Sequence, residues 1–442
     1  MGRCAVSTQK QKRPFALRAL AAFAGTLAIL FVLLLAAYAL PGERVRQHVY
    51  DSARTIQNEG LYPEYLGFKL FQMDNYTDTL MLFEAASADE LPPLQAMMTN
   101  TAYNVDNFET LADDLAWYIE EKDWSTGAQR TDAPALEPFS YARYWHGYLI
   151  WLRPLLLLMP YTGVRIVQYI VLFALLAVVL VQLRRRCGLR AAVWFAVSQL
   201  AVSVWFVPHQ VQYFTCFMIA YAGCAWVLAK PRRSDVLCLG LLVLGTATAF
   251  CDLLVTPIIT LGLPLTCWLL EPQQRLRGGV PQCALAVGSS LCWGTGYALC
   301  WAGKWALAGA VTNNNVLADA LHQAEVRTTA DTWHGMELTW RNIFIFLYDT
   351  LNGHHLFWPA LAVLIALFIL SIRSKTALVR ALPLALTTCM TPAWFALLRT
   401  HSIQHGWFTW RALGLTVFAG LAFLYYACDL RAARRRLQKG SI

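Results

Sequence analysis

Apolar residues in this 442-residue chain come in long blocks rather than in strand-like alternation, and short charged stretches separate the blocks. The runs lie at 19–40, 163–183, 191–207, 211–229, 235–251, 254–270, 283–308, 355–371, 381–398 and 411–428. Each is about long enough to cross roughly 30 Å of hydrocarbon as a helix. The pattern therefore predicts an all-α polytopic membrane protein of about ten transmembrane helices. Two further apolar stretches, 147–160 and 341–352, are too short to span. With Arg153-Pro154 in one and Asp349 in the other, they read as interfacial or half-inserted helices on the outer face. Four regions follow: 1–40, a short N-terminus with the first helix; 41–146, a polar loop; 147–430, the helical membrane domain; and 431–442, a basic tail.

Composition supports membrane residence and charge orients the chain. At 57% hydrophobic and 14% charged, the sequence is too apolar for a soluble domain. The net charge of +9 is unevenly spread: residues 41–146 hold 18 of the 27 acids and stand at −11, while the remainder stands at +20. The basic excess sits between apolar runs, in "RRRCGLR", "KPRRSD", "EPQQRLR", "RSKTALVR" and "RAARRRLQK". It reads as a topology signal rather than a nucleic-acid surface, and no nucleic-acid partner is expected. The positive-inside rule puts these segments and both termini in the cytoplasm and residues 41–146 outside, in the cytoplasmic (inner) membrane of a bacterium. The first apolar run is long for a signal peptide and has only a weak cleavage site, so it is read as an uncleaved helix. None of the 12 cysteines falls in 41–146, so neither a disulfide framework nor a zinc spacing is present.

With that topology, all nine histidines (48, 146, 209, 322, 334, 354, 355, 401 and 405) fall on or near the outer side. Several sit in polar-aromatic clusters at helix mouths: "YARYWHGYLIWLRP" with Arg143, His146 and Arg153; "VPHQVQYF" with His209; "WGTGYALCWAGKWALAG" with Lys304; and "RTHSIQHGWFTWR" with Arg399, His401, His405 and Arg411. The alternative is that His is an ordinary interfacial residue. A charge inside a spanning segment costs about 2.5–3.5 kcal/mol, so Lys304 and Arg153 require an explanation. Either they snorkel or anchor at the interface, or they bind the phosphate of a lipid-linked substrate at headgroup depth. Asp252, at another outer helix mouth, either pairs with a cation or is solvated. In "FQMDNYTDTLML", Asp74 and Asp78 share one face if the segment is helical. Two such carboxylates repel and raise one pKa, which suits a general base; otherwise they form an ordinary acidic turn.

One N-terminal helix, a roughly hundred-residue acidic outer loop and then a bundle of further helices resembles the glycosyltransferase C superfamily. Those polytopic enzymes move a sugar from a polyprenyl-phosphate carrier to an acceptor outside the cytoplasm, and their first outer loop carries an essential Asp or Glu. The resemblance implies that Asp74 is the base, assisted by Asp78, and that the carrier phosphate meets Lys304, Arg153 or Arg411, with His146, His209, His401 and His405 nearby. The implied partners are the lipid bilayer, a polyprenyl-phosphate-linked sugar and a glycan or lipid acceptor. A divalent metal (Mg or Mn) is optional, and its ligands are unknown. The segments "RYWHGYLIWLRPLL", "KWALAG" and "HSIQHGWFTWR" are also similar to signature segments of a group of bacterial membrane proteins from which no activity carries over. Three other classes compete. A polysaccharide polymerase or ligase would use the outer His and Arg, but would place its large loop late in the chain. A transporter would show repeats, of which there are none. A non-catalytic assembly protein would use the acidic loop for docking.

Overall fold

The computed structural model describes residues 14–67, 71–104, 137–329, 332–333, 336–337, 365–366, 368–369 and 371–429. The expected half-inserted helix at 341–352, most of the expected span at 355–371, and His334, His354 and His355 lie outside them. The chain is an all-α, multi-pass membrane protein. The strands among the described residues form two small antiparallel pairs: β1 (Thr101–Asn104) with β2 (Glu137–Ser140), and β3 (Thr332–Trp333) with β4 (Met336–Glu337).

Six helices among the described residues are long and apolar enough to cross a membrane. They are α1 (Phe15–Tyr38), α6 (Tyr161–Cys187), α8 (Val211–Ala229), α9 (Ser234–Cys251), α12 (Val280–Thr312) and the run Gly406–Ala427 that ends in α17 (Leu413–Ala427). Two shorter apolar helices, α7 (Leu189–Ala201) and α10 (Ile258–Leu270), accompany them, together with α14 (Lys375–Leu397). The apolar run at 191–207 does not stay helical to its end. After α7 the chain takes a left-handed turn at Ser203 and continues as a 3-10 segment, Val204–His209, around Pro208, which has no N–H to donate. The run at 254–270 starts late, because Asp252 folds back onto the Val255 amide and Leu254 adopts a positive φ. Helix α14 starts earlier than its apolar run, capped by the Ser374 hydroxyl, which accepts from the Ala377 amide at 3.1 Å.

Helix α10 forms the centre: every one of its residues is buried. Helices α9 and α12 approach closely because Gly245 meets the backbone of Trp293 and Gly296 meets that of Leu242, where a Cβ would collide. Helix α1 fully buries only Leu34, Ala37 and Tyr38; Phe23, Leu27, Leu30, Phe31 and Leu35 pack partly against the core, and Leu17, Leu20, Ile29, Val32 and Leu33 are exposed, as on a lipid-facing helix.

The described part of the acidic loop is folded onto one end of this bundle. Helix α2 (Glu43–Glu59) buries Val45, Val49, Ala53 and Ile56, one stripe at helical spacing. Burying each Val or Ile side chain contributes about 1.5–3 kcal/mol, and the Ala53 methyl less. Two shorter helices follow, α3 (Asn75–Ser87) and α4 (Pro93–Thr99). The stretch at 147–160 contains α5 (Leu149–Leu156), as short as expected, packed between α1, α2 and α6.

Candidate active site at the outer end of the bundle

The two aspartates lie where two helix N-termini meet. Asp74 is the N-cap of α3: its carboxylate accepts from the Thr77 amide at 3.0 Å and the Thr77 hydroxyl at 2.9 Å. Asp78, one turn later, is fully buried and accepts from the Val211 amide at 3.1 Å and the Gln212 amide at 3.4 Å. Those are first-turn groups of α8, so the carboxylate sits on the positive end of a spanning helix. The Tyr161 hydroxyl also donates to Asp78. Gln210 locks the junction, donating to the Asn75 side chain at 2.7 Å and accepting from the Asp74 amide at 3.2 Å. Burial pushes the Asp78 carboxyl up to about 8, against the lowering effect of the Val211 amide and the charge of Arg165. Burial also raises Asp74, opposed by hydrogen bonds from Gln212 and Thr77. The spacing predicted one shared helix face if 74–82 were helical; Asp74 instead stands outside α3 as its N-cap, one turn before Asp78, and each carboxylate holds a different helix end.

Beside them, Arg165 grips Glu59 through two hydrogen bonds of 2.5 and 2.9 Å, and Asn75 donates to Glu59 at 3.2 Å. His209 faces the same carboxylate at 3.8 Å and Tyr65 at 3.1 Å. Burial would raise Glu59, but His209 and Arg165 hold it down to about 2.

Two of the three candidate phosphate-binding cations are committed to helix C-termini. Lys304 is fully buried, and its Nζ donates to Met97 O at 2.7 Å, Met98 O at 3.4 Å and Asn100 Oδ1 at 2.6 Å, closing α4. Arg153, equally buried, donates to Tyr38 O and Leu40 O, both at 3.1 Å, closing α1. Lys304 therefore does not snorkel to the headgroups and Arg153 is no surface anchor: both charges meet the carbonyl ends of helices. His146 lies in the same region, paired with the buried Glu84 at 2.6 Å, and Tyr148 donates to that carboxylate as well. Asp252, buried, is neither solvated nor ion-paired to a cation; its carboxylate holds the turn into α10.

Arg411 differs. It is 1% exposed, and its Nη1 donates to Trp407 O at 3.1 Å, but Nε and Nη2 have no partner. The guanidinium stacks 4.5 Å over the Tyr213 ring and 5.3 Å over the Trp410 ring. The same segment carries further buried groups without partners: Trp407 Nε1, Trp410 Nε1, His401 Nδ1 and His405 Nδ1. His401 Nε2 donates to Leu254 O at 2.9 Å, and its ring lies 4.7 Å from that of His405. Burial, then their mutual proximity and Arg327, lowers His401, and burial lowers His405 to about 4, so both are neutral imidazoles at pH 7.

Aromatic rings connect this segment to Asp74. Trp407 lies 6.5 Å from Tyr62, which lies 6.3 Å from Tyr76. Burial, and after it the charge of Asp74, raises the hydroxyls of Tyr62 and Tyr76. Tyr213, under Arg411, is within electrostatic reach of both Asp74 and Asp78. The structure thus gathers Asp74, Asp78, His209, His401, His405 and Arg411 at one end of the bundle. It leaves Lys304, Arg153 and His146 to a neighbouring region of closed helix ends.

Next to His401 is a cavity of about 160 Å³, lined by Tyr297, Trp301 and Trp305 of α12, Trp394, Arg143 and Arg327. The Tyr297 hydroxyl and Trp301 Nε1 are buried without partners. Residues 293, 297, 301 and 305 form a continuous aromatic ladder with ring separations of 4.8, 5.4 and 5.8 Å. The W-x3-Y-x3-W-x3-W spacing was present in the sequence and signals such a ladder. Arg165, Glu59 and Glu84 were also missed. Charges inside or beside apolar runs mark Arg165 and Glu84 by the logic that singled out Lys304.

Among the described residues, no three of His, Cys, Asp and Glu converge in a way that would hold a metal ion. Comparison with protein-family models, curated proteins and solved structures finds no match to this chain.

Proposed function

We propose that this protein is a membrane glycosyltransferase of the C-superfamily type, moving a sugar from a polyprenyl-phosphate carrier to a glycan or lipid acceptor at the face opposite the basic loops. The reading includes ten spans with both termini on the basic, cytoplasmic side of a bacterial inner membrane. The observation that carries it is Arg411, a buried cation with open donors joined through aromatic rings to the buried carboxylate of Asp74.

In this reading Asp74 takes the proton of the acceptor hydroxyl as its oxygen attacks the anomeric carbon. The carbon–oxygen bond to the carrier breaks, and the phosphate leaves with the electron pair. Arg411 Nε and Nη2 meet the charge that develops on it, in a site from which water is largely excluded. The cap bonds from Thr77 fix the direction in which the Asp74 lone pairs point. The neutral His401 and His405 and the indole N–H groups of Trp407 and Trp410 offer uncharged partners for sugar hydroxyls. The aromatic ladder beside them suits the apolar faces of a second sugar.

The test is transfer from polyprenyl-phosphate sugars in membrane vesicles. Asp74→Asn is expected to abolish transfer while leaving membrane insertion intact. Full transfer by that variant overturns the assignment of the base.

A further inference from the structure

A positively lined cavity lies at the opposite end of the bundle and takes no part in the proposed reaction. About 370 Å³ in volume, it sits where α14 begins, α17 ends and the short helix α11 (Pro272–Arg277) leads into α12. Its lining includes Arg275, Arg373 and Arg380 and no acidic side chain. Each arginine is placed by the fold. The Arg373 amide donates to Ala427 O at 2.9 Å and its Nη2 to Cys428 O at 3.1 Å, which fixes it against the end of α17. Arg275 stacks on Tyr426 and donates to its hydroxyl, while its Nε is buried without a partner. Arg380, exposed, makes no hydrogen bond or ion pair among the described residues, and its stem packs on Gly278.

Two further features point to the kind of ligand. Thr376 and Ala377, in the first turn of α14, also line the cavity, so the positive end of a 23-residue helix faces it. Gln282, 4% exposed, donates its Nε2 to Gln274 Oε1 at 3.1 Å, and its own Oε1 is buried with no partner. Such an atom is an acceptor waiting for a donor. Three cations, a helix N-terminus and one lone acceptor match a phosphate ester that also carries a hydroxyl group. Merely snorkelling arginines would need neither a cavity nor a buried amide.

We infer that this cavity binds a phosphate ester bearing a free hydroxyl, of the glycerol-phosphate type, through Arg275, Arg373 and Arg380, with Gln282 accepting from the hydroxyl. Two sources share that chemistry: the headgroup of an anionic lipid and a soluble phosphate ester.

The test uses the full-length protein purified in detergent. Native mass spectrometry follows retention of phosphatidylglycerol against phosphatidylcholine, and titrations with glycerol 1-phosphate and inorganic phosphate run in parallel. Wild type is expected to retain phosphatidylglycerol selectively. Arg380→Gln should weaken retention about tenfold, the effect of losing one charge-assisted hydrogen bond, and Arg380→Lys should restore part of it. Because Arg380 is exposed, its variants should fold, and circular dichroism checks this. Gln282→Leu should weaken glycerol 1-phosphate more than inorganic phosphate. Glycerol 1-phosphate binding with no lipid preference supports the site and assigns it a soluble ligand. Equal retention of both lipids with no binding of either phosphate, or Arg380→Gln behaving as wild type, overturns the inference. Sugar transfer is not read, so the outcome is independent of the proposed function.

Discussion

Two neighbouring regions at the outer end of the bundle bury positive charge in opposite ways. Around Lys304 and Arg153 each cation lies on a helix C-terminus, where backbone carbonyls and the Asn100 amide oxygen accept from Lys304 Nζ and from both terminal nitrogens of Arg153. Around Arg411 the guanidinium lies on aromatic rings and keeps two nitrogens open, with indole and imidazole nitrogens nearby also open. Burial is the same in both. What differs is how far the protein completes the group itself: among the described residues Lys304 Nζ is fully engaged and Arg153 lacks a partner only at Nε, whereas Arg411 lacks one at both Nε and Nη2, and an incomplete buried group costs about 1–3 kcal/mol that only a ligand or water recovers.

That contrast predicts a separation of activity from stability. The largest effects belong to the open region. Asp74→Asn should lower sugar transfer by about 10²–10⁴-fold, the usual range for a lost general base, with thermal unfolding in detergent nearly unchanged. Arg411→Met should lower transfer by about 10²-fold and leave the melting temperature unchanged or raised, since it removes a charge left incomplete. A melting temperature that falls steeply would put Arg411 with the structural cations.

Next come the closed ends. Lys304→Met strips three acceptors of their donor and should cost about 3 kcal/mol of stability, while the variant molecules that remain folded transfer sugar at the normal rate. Loss of transfer without loss of stability would move Lys304 into the site and erase the contrast.

The pH dependence offers a subtler check. Glu59 titrates lower in the folded chain than in the unfolded one, so its contribution is fully present above about pH 4.5 and lost as pH falls towards about 2. Wild type should lose stability over that window, and Glu59→Gln should lose less. The smallest expected effect is that of Thr77→Val, which keeps the backbone cap bond and removes the hydroxyl. It should cost about 1 kcal/mol and slow transfer only several-fold.

The apolar runs were legible because period and length suffice for a spanning helix. Val211–Ala229 coincides with its run, and Ser234–Cys251 begins one residue before its own. The 191–207 run was less so, since hydropathy does not register the left-handed Ser203 or the 3-10 turn around Pro208. The helix that carries Asp78 followed from helical spacing, with Asp74 at its N-cap rather than inside it. Their division between two helix ends did not, because Val211 and Gln212 arrive from more than a hundred residues away. The same long range hid the roles of Lys304 and Arg153: a lone charge in an apolar run announces that it has a partner but not which one.

The helix ends at this face also bear on how the chain is assembled in the membrane. The carboxylate that receives α8, Asp78, is synthesised 133 residues before the Val211 amide it accepts from. The guanidinium that closes α1, Arg153, is synthesised 113 residues after Leu40. Asp78 is therefore already in the chain when the first turn of α8 is made, whereas the carbonyl end of α1 lacks its closing donor until α5 is made.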